Sequence, residues 1–100
     1  FLGFADLFLR TYQEAQLNGG AADLEVGRGI VLRTLQVAEL EPIEITLGKT
    51  LFDSSQHVGR STANRPDLQD GTIASVVRNG FRQATAGTVV RQPEVIVNRL

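Results

Sequence analysis

The side chains that could perform covalent chemistry are concentrated in one short run, Asp53-Ser54-Ser55-Gln56-His57. His57 is the only histidine of the 100-residue chain, and cysteine is absent. A Ser/His/Asp triad needs three groups that converge on one point, and five consecutive loop residues cannot supply that geometry. We therefore interpret His57 as a loop histidine that hydrogen-bonds to the backbone, and we predict that the chain is not an enzyme. Hydrolysis that uses His57 and Asp53 stays a third-ranked hypothesis.

Metal and phosphate sites also lack their sequence signatures. One histidine among scattered acids gives no recognised ligand spacing. Glu39, Glu41 and Glu44 could chelate a cation weakly, but a solvated acidic patch is the preferred interpretation. No glycine opens a helix with a following lysine and hydroxyl residue, as a phosphate loop requires. The sequence predicts no metal and no cofactor.

Composition and charge favour a protein partner over nucleic acid or membrane. No apolar run approaches the roughly 20 residues of a membrane helix. Residues 1–50 carry four basic and seven acidic groups, a balance of −3, whereas residues 51–100 carry six arginines and four acids, a balance of +2. This asymmetry could steer a partner but lacks the basic stripe of a nucleic-acid binder. Because methionine and cysteine are both absent, we expect a piece of a longer, cytoplasmic protein.

The first 41 residues predict a helical hairpin. Apolar residues recur every three or four positions from Phe1 to Leu17, and Asn18-Gly19-Gly20 should end that helix. A second helix is expected from about Asp23, as N-cap, to Ala38, with Gly27 and Gly29 indicating either close packing or a later start of the helix. The wide apolar stripe suggests that two hairpins pair into a four-helix bundle. The predicted dimer interface consists of Phe1, Phe4, Phe8, Tyr12, Ile30 and Leu35.

Residues 42–100 predict a small β unit. Ile43, Ile45 and Leu47 alternate with polar residues as in a half-buried strand, and Gly48-Lys49 should turn the chain. Further strands are expected at 72–77, 88–91 and 94–97, with Asn79-Gly80 as a turn, and any strand in the polar stretch 59–69 should be short and at an edge. Alternation in 72–77 puts apolar side chains on both faces, so helices or a partner must cover the second face. The fold class is therefore segregated α+β.

The order of several short motifs resembles the GrpE family, the nucleotide exchange factors of bacterial and organellar Hsp70 (DnaK) chaperones. The resemblance covers roughly the last 60 residues. The family has Val-Glu-Pro-Ile, then an apolar residue before Asp-Pro with a following His, then Gly-Thr-Ile, Gly-Tyr and a closing Arg-Pro-Ala-Met-Val. The corresponding residues are Leu40-Glu41-Pro42-Ile43, Phe52-Asp53-Ser54-Ser55-Gln56-His57, Gly71-Thr72-Ile73, Val76, Gly80-Phe81, Gly87, Arg91 and Val95-Ile96-Val97.

This resemblance implies a homodimeric cochaperone with a helical dimerisation region, residues 1–41, and a β wing, residues 42–100, that binds the Hsp70 ATPase domain and promotes ADP release. Ser54 stands where the family usually has proline, and Thr88 where it usually has a basic residue. The alternative is a GrpE-fold interaction or structural module without exchange activity. The partner contacts that the resemblance implies are Phe52, Ser54, Val77, Thr88, Arg91 and Val97.

Overall fold

The computed structural model describes residues 2–100 and has two helices followed by six short strands. Helix α1 is Leu2–Leu17, a 3-10 turn follows at Ala21–Leu24, and helix α2 is Glu25–Val37. The strands are β1 Leu40–Pro42, β2 Val58–Ala63, β3 Ile73–Arg78, β4 Phe81–Gln83, β5 Val89–Arg91 and β6 Glu94–Asn98. The α+β class predicted from the sequence is confirmed. Phe1, which we assigned to the dimer interface, lies outside the described residues.

The end of α1 lies where the sequence predicts it, whereas the start of α2 does not. Gly19 has φ of 81° and ends α1, as the sequence predicts, because glycine enters the left-handed region without steric cost. The Gly20 N–H then donates to the Ala15 carbonyl at 2.7 Å. The prediction that Asp23 caps α2 is wrong: Asp23 lies inside the 3-10 turn, and α2 begins at Glu25 without a side-chain cap.

The six strands form two three-stranded sheets. The first sheet has the order β1-β4-β5 and is antiparallel; the second has the order β2-β6-β3, with β2 parallel and β3 antiparallel to β6. Strand β2 lies at an edge, as the polar composition of residues 59–69 predicts. The sequence did not predict β4, and Asn79-Gly80 is not a hairpin turn but the connection from one sheet to the other.

The strand predicted at Ile43–Leu47 is absent. Ile45 and Leu47 are buried, so their alternation reports burial correctly, but this segment pairs with no strand. Its backbone N–H groups find partners both nearby and far along the chain: the Thr46 N–H donates to the Thr50 hydroxyl at 2.9 Å, whereas the Ile43 N–H donates to the Gly80 carbonyl at 3.0 Å. The predicted turn at Gly48-Lys49 is confirmed.

Strand β3 also departs from simple alternation. Its register against β6 shifts between Ile73 and Ser75 and again between Val76 and Arg78. These bulges bury Ile73 and Ala74 together and leave Val77 exposed. A bulge rotates the strand locally, so that a period of two no longer assigns its side chains to faces.

Two hydrophobic cores hold the fold together. The core of the second sheet consists of Ile45, Leu47, Ile73, Val76, Val95 and Val97. The other core joins the helices to the first sheet, where Phe81 packs among Ala5, Leu9, Val31 and Leu35. Close packing between the helices, which Gly27 predicts, is confirmed, because a Cβ there would lie 2.7 Å from Phe8 Cζ. The helices thus pack on the first sheet, and Leu17 of α1 also packs on the core of the second sheet, whose opposite face is open at Arg60 and Arg78.

Candidate protein-binding surface

Two adjacent chain crossings connect the sheets, one at Asn79-Gly80 between β3 and β4 and one at Gln92-Pro93 between β5 and β6. The crossings are in direct contact. A Cβ at Gly80 would lie 2.6 Å from the Arg91 carbonyl oxygen and would also collide with the Pro93 ring. Only glycine therefore permits this approach, which fixes the second sheet relative to the first.

A buried polar network ties helix α1 to this junction. Asn79 is fully buried, and its backbone N–H and side-chain Nδ2 donate to the Asp6 carboxylate oxygen Oδ1 at 2.6 and 3.0 Å. Gln13 Nε2 donates to Asn79 Oδ1 at 2.8 Å. We call Asp6, Gln13 and Asn79 the junction network. Because each buried polar group has a partner, the network orients α1 without leaving an unpaired amide in the core.

The junction network was not predicted from the sequence, although α1 contains a signal for it. Asp6 and Gln13 are seven residues apart in α1. Asp6 directly follows Ala5, and Gln13 lies two residues before Ala15, so both fall within the apolar stripe of the helix. Two polar residues at i and i+7 lie on the same helical face, so a buried polar cluster was predictable from their spacing. Their partner Asn79 was not, because it reads as the first residue of an Asn-Gly turn.

Arg91 completes the junction from the other crossing. Its Nε and Nη2 donate to the Asn79 carbonyl oxygen at 2.9 and 2.7 Å, and its guanidinium lies 5.1 Å from the centre of the Phe81 ring. Burial, and then the nearby Arg78 guanidinium, lower the pKa of Arg91 from its ordinary value. Arg91 was predicted to bind a partner, and two of its five N–H donors are directed into the fold, at the Asn79 carbonyl oxygen.

The loop from Phe52 to His57 is folded around its own polar groups. The buried His57 accepts the Asp53 N–H at Nδ1 over 3.0 Å, which confirms our interpretation of this histidine. The Asp53 carboxylate accepts the Ser55 hydroxyl at 2.6 Å and the Ser55 N–H at 2.9 Å, and these bonds lower the Asp53 pKa. Burial lowers the pKa of His57. Phe52 is half-buried against the core of the second sheet, and Ser54 is exposed.

The remaining predicted partner contacts separate by burial. Val77 is 41% exposed near the end of β3. Thr88, directly before β5, is exposed, and so are Val89 and Val90 within that strand. Val97 is only 4% exposed, because it lies inside the core of the second sheet. The assignment of Val97 to a partner surface is therefore corrected: its side chain packs within the chain.

The same test divides the predicted dimer residues. Phe4 and Ile30 are exposed, Phe8 is half-buried on Gly27, and Tyr12 is half-buried and donates to Glu25 Oε1 at 2.6 Å. Leu35 has no exposed surface, so its assignment to a dimer interface is corrected as well: it belongs to the helical core.

Acidic residues near the helix-to-strand connection are engaged by arginines. Glu41 accepts from Arg82 at 2.6 Å, and Glu44 accepts from Arg28 at 3.1 Å. Within residues 2–100, no group of three or more His, Cys, Asp and Glu side chains could hold a metal ion. No helix in that part of the chain is long and apolar enough to cross a membrane.

No protein-family model matches the chain, and no curated protein matches its sequence.

Proposed function

We propose that the chain is a GrpE-like cochaperone domain, which dimerises through its helices, binds the ATPase domain of an Hsp70 (DnaK) chaperone through its β wing and promotes ADP release. The lack of cysteine suits the reducing cytoplasm of a bacterium. The proposed partner surface consists of Phe52, Ser54, Val77 and Thr88, with Arg91 supporting it from below.

The junction network is the observation that carries this proposal. A factor that opens a nucleotide cleft must bind the open state of its partner more tightly than the closed state, by about 1.4 kcal/mol for a tenfold shift. A surface attached by a flexible linker would follow the partner between both states. Asn79 instead joins the end of β3, next to the exposed Val77, to helix α1 through buried hydrogen bonds to Asp6 and Gln13.

Exposed apolar side chains on both helices support the proposed dimer. Phe4 and Leu7 on α1 are exposed at a spacing of three, and Val26 and Ile30 on α2 at a spacing of four. Such spacing places each pair on one helical face. A second copy packed against these faces would form a four-helix bundle and remove the apolar side chains from water.

One observation favours the alternative, an interaction module without exchange activity. The Arg91 guanidinium is bonded to the Asn79 carbonyl and lies over Phe81, and the neutral Thr88 supplies no charge in its place. A partner that needs a basic contact at this point would bind less well.

Release of a fluorescent ADP analogue from the Hsp70 of the same organism tests the proposal. Saturating amounts of the chain should accelerate release by tenfold or more, the shift that about 1.4 kcal/mol of preference produces. Val77→Ser should reduce this acceleration, whereas Asn64→Ser, at an exposed asparagine in the loop after β2, should leave it unchanged. Binding without accelerated release would favour the interaction module, and absence of binding would contradict both.

A further inference from the structure

The open face of the second sheet carries a row of three charged side chains, one from each strand. Arg60 lies on β2, Glu94 on β6 and Arg78 on β3, and these three strands contain no other charged residue. Val95 and Val97 lie in the core, so Glu94 lies on the opposite face of β6. Arg60 Nη1 is 3.1 Å from Glu94 Oε1, and Arg78 Nη1 is 3.6 Å from Glu94 Oε2. We call these three residues the arginine face.

The arginine face is not neutral. One carboxylate lies between two guanidiniums, which leaves a net positive charge. The Arg60 and Arg78 side chains are 59% and 51% exposed, whereas the Glu94 side chain is only 20% exposed. Each guanidinium has five N–H donors and directs one nitrogen at Glu94, so most donors face solvent.

Fold stability alone gives little reason for this arrangement. Exposed ion pairs contribute about 0–1 kcal/mol, and a second arginine on a carboxylate that is already paired adds repulsion between the two guanidiniums. Protein interfaces, in contrast, are enriched in arginine next to apolar side chains. Val77 precedes Arg78 and is exposed, and Val58 pairs with Glu94 and is also exposed.

We propose that the arginine face docks an acidic protein surface, whose carboxylates bind the free N–H donors of Arg60 and Arg78 while Glu94 limits the net charge. Charge complementarity of this kind steers association and selects the partner. The inference rests on the proposed function, because it extends the same surface from Val77 across the second sheet. A protein partner is favoured over nucleic acid, since two arginines in a chain of net charge −1 form no basic stripe.

A fluorescein-labelled oligoglutamate peptide tests the charge chemistry without a chaperone. The chain should bind it at low ionic strength, and binding should weaken toward about 0.15 M salt. The double variant Arg60→Gln/Arg78→Gln should weaken binding about tenfold, and Glu94→Gln should strengthen it. Arg65→Gln is the matched control, since Arg65 pairs with Asp67 in a loop outside the row. Equal binding by the double variant and the wild type would overturn the inference, as would tighter binding of single-stranded DNA through the same arginines.

The ADP-release assay on the same variants separates this inference from the proposed function. If the double variant accelerates release as well as the wild type, the arginine face is not the docking site, although the exchange function stands. If oligoglutamate binds through the arginines but the wild type does not accelerate release, the exchange function fails and the acidic-partner inference stands.

Discussion

Removal of the Asn79 side chain is the most direct test of how the helices hold the β region. Asn79→Ala deletes the amide that donates to the Asp6 carboxylate at 3.0 Å and accepts from Gln13 at 2.8 Å. The Asp6 bond to the Asn79 backbone N–H survives, because alanine keeps that group. The buried Gln13 amide, however, loses the acceptor of its 2.8 Å hydrogen bond.

The magnitude follows from these two losses. A hydrogen bond to a charged group contributes about 1.5–3 kcal/mol, and an unpaired buried amide costs about 1–3 kcal/mol. We therefore expect Asn79→Ala to lower the free energy of unfolding by about 4 kcal/mol, a large share of the 5–15 kcal/mol typical of a domain. At about 4–8 °C per kcal/mol for a chain of this size, Tm should fall by roughly 15–30 °C.

Urea denaturation followed by circular dichroism measures this loss, at one protein concentration because a dimer is stabilised by mass action. Asn64→Ala, at an exposed asparagine in the loop after β2, should change the free energy of unfolding by less than about 0.5 kcal/mol. In a double-mutant cycle, Asn79→Ala and Gln13→Ala should couple by about 1 kcal/mol or more. A loss below 1 kcal/mol for Asn79→Ala with an unchanged m value would refute the junction network as a source of rigidity.

Three further predictions test other parts of the fold. Burial lowers the pKa of His57, so the stability that its neutral form contributes is complete above the unfolded pKa of about 6.5 and is lost as pH falls through the folded pKa. The urea midpoint should therefore drop more between pH 7.5 and 5.5 in the wild type than in His57→Gln. Gly80→Ala should cost about 2 kcal/mol or more by overpacking, whereas Gly3→Ala, where a Cβ meets nothing, should not destabilise in thermal melts. Phe4→Asp should give a monomer in sedimentation velocity, whereas Val90→Asp should leave the dimer intact.

Sequence was sufficient where structure depends on neighbours along the chain. The end of α1 at Gly19 and the turn at Gly48 require positive φ, which glycine supplies locally. The alternation at Ile45 and Leu47 predicted the burial of these side chains correctly but wrongly predicted a strand. A period of two indicates which side chains are buried, and it does not indicate whether the backbone pairs with another strand. The strand that contains Phe81, β4, has only three residues and is too short to produce any period.

The candidate site depends on distant residues, which limits what a single sequence predicts. Asn79 meets Asp6 across 73 positions and Gln13 across 66. No local pattern distinguishes an Asn-Gly turn from an Asn-Gly crossing, because the partners of the amide are set by tertiary packing. The same limit applies to apolar residues, whose type is shared by cores and interfaces.

Burial therefore decides which binding experiments can be interpreted. Leu35→Ala removes a side chain with no exposed surface and should cost about 2–5 kcal/mol of stability, so a loss of dimer in that variant would report unfolding and not an interface. Val77→Ser changes an exposed residue and should stay within about 0.5 kcal/mol of the wild type. A loss of Hsp70 binding in Val77→Ser with unchanged unfolding would then be evidence for direct contact. If Val77→Ser instead destabilises as much as Leu35→Ala, Val77 belongs to the core, and the proposed partner surface must lie elsewhere.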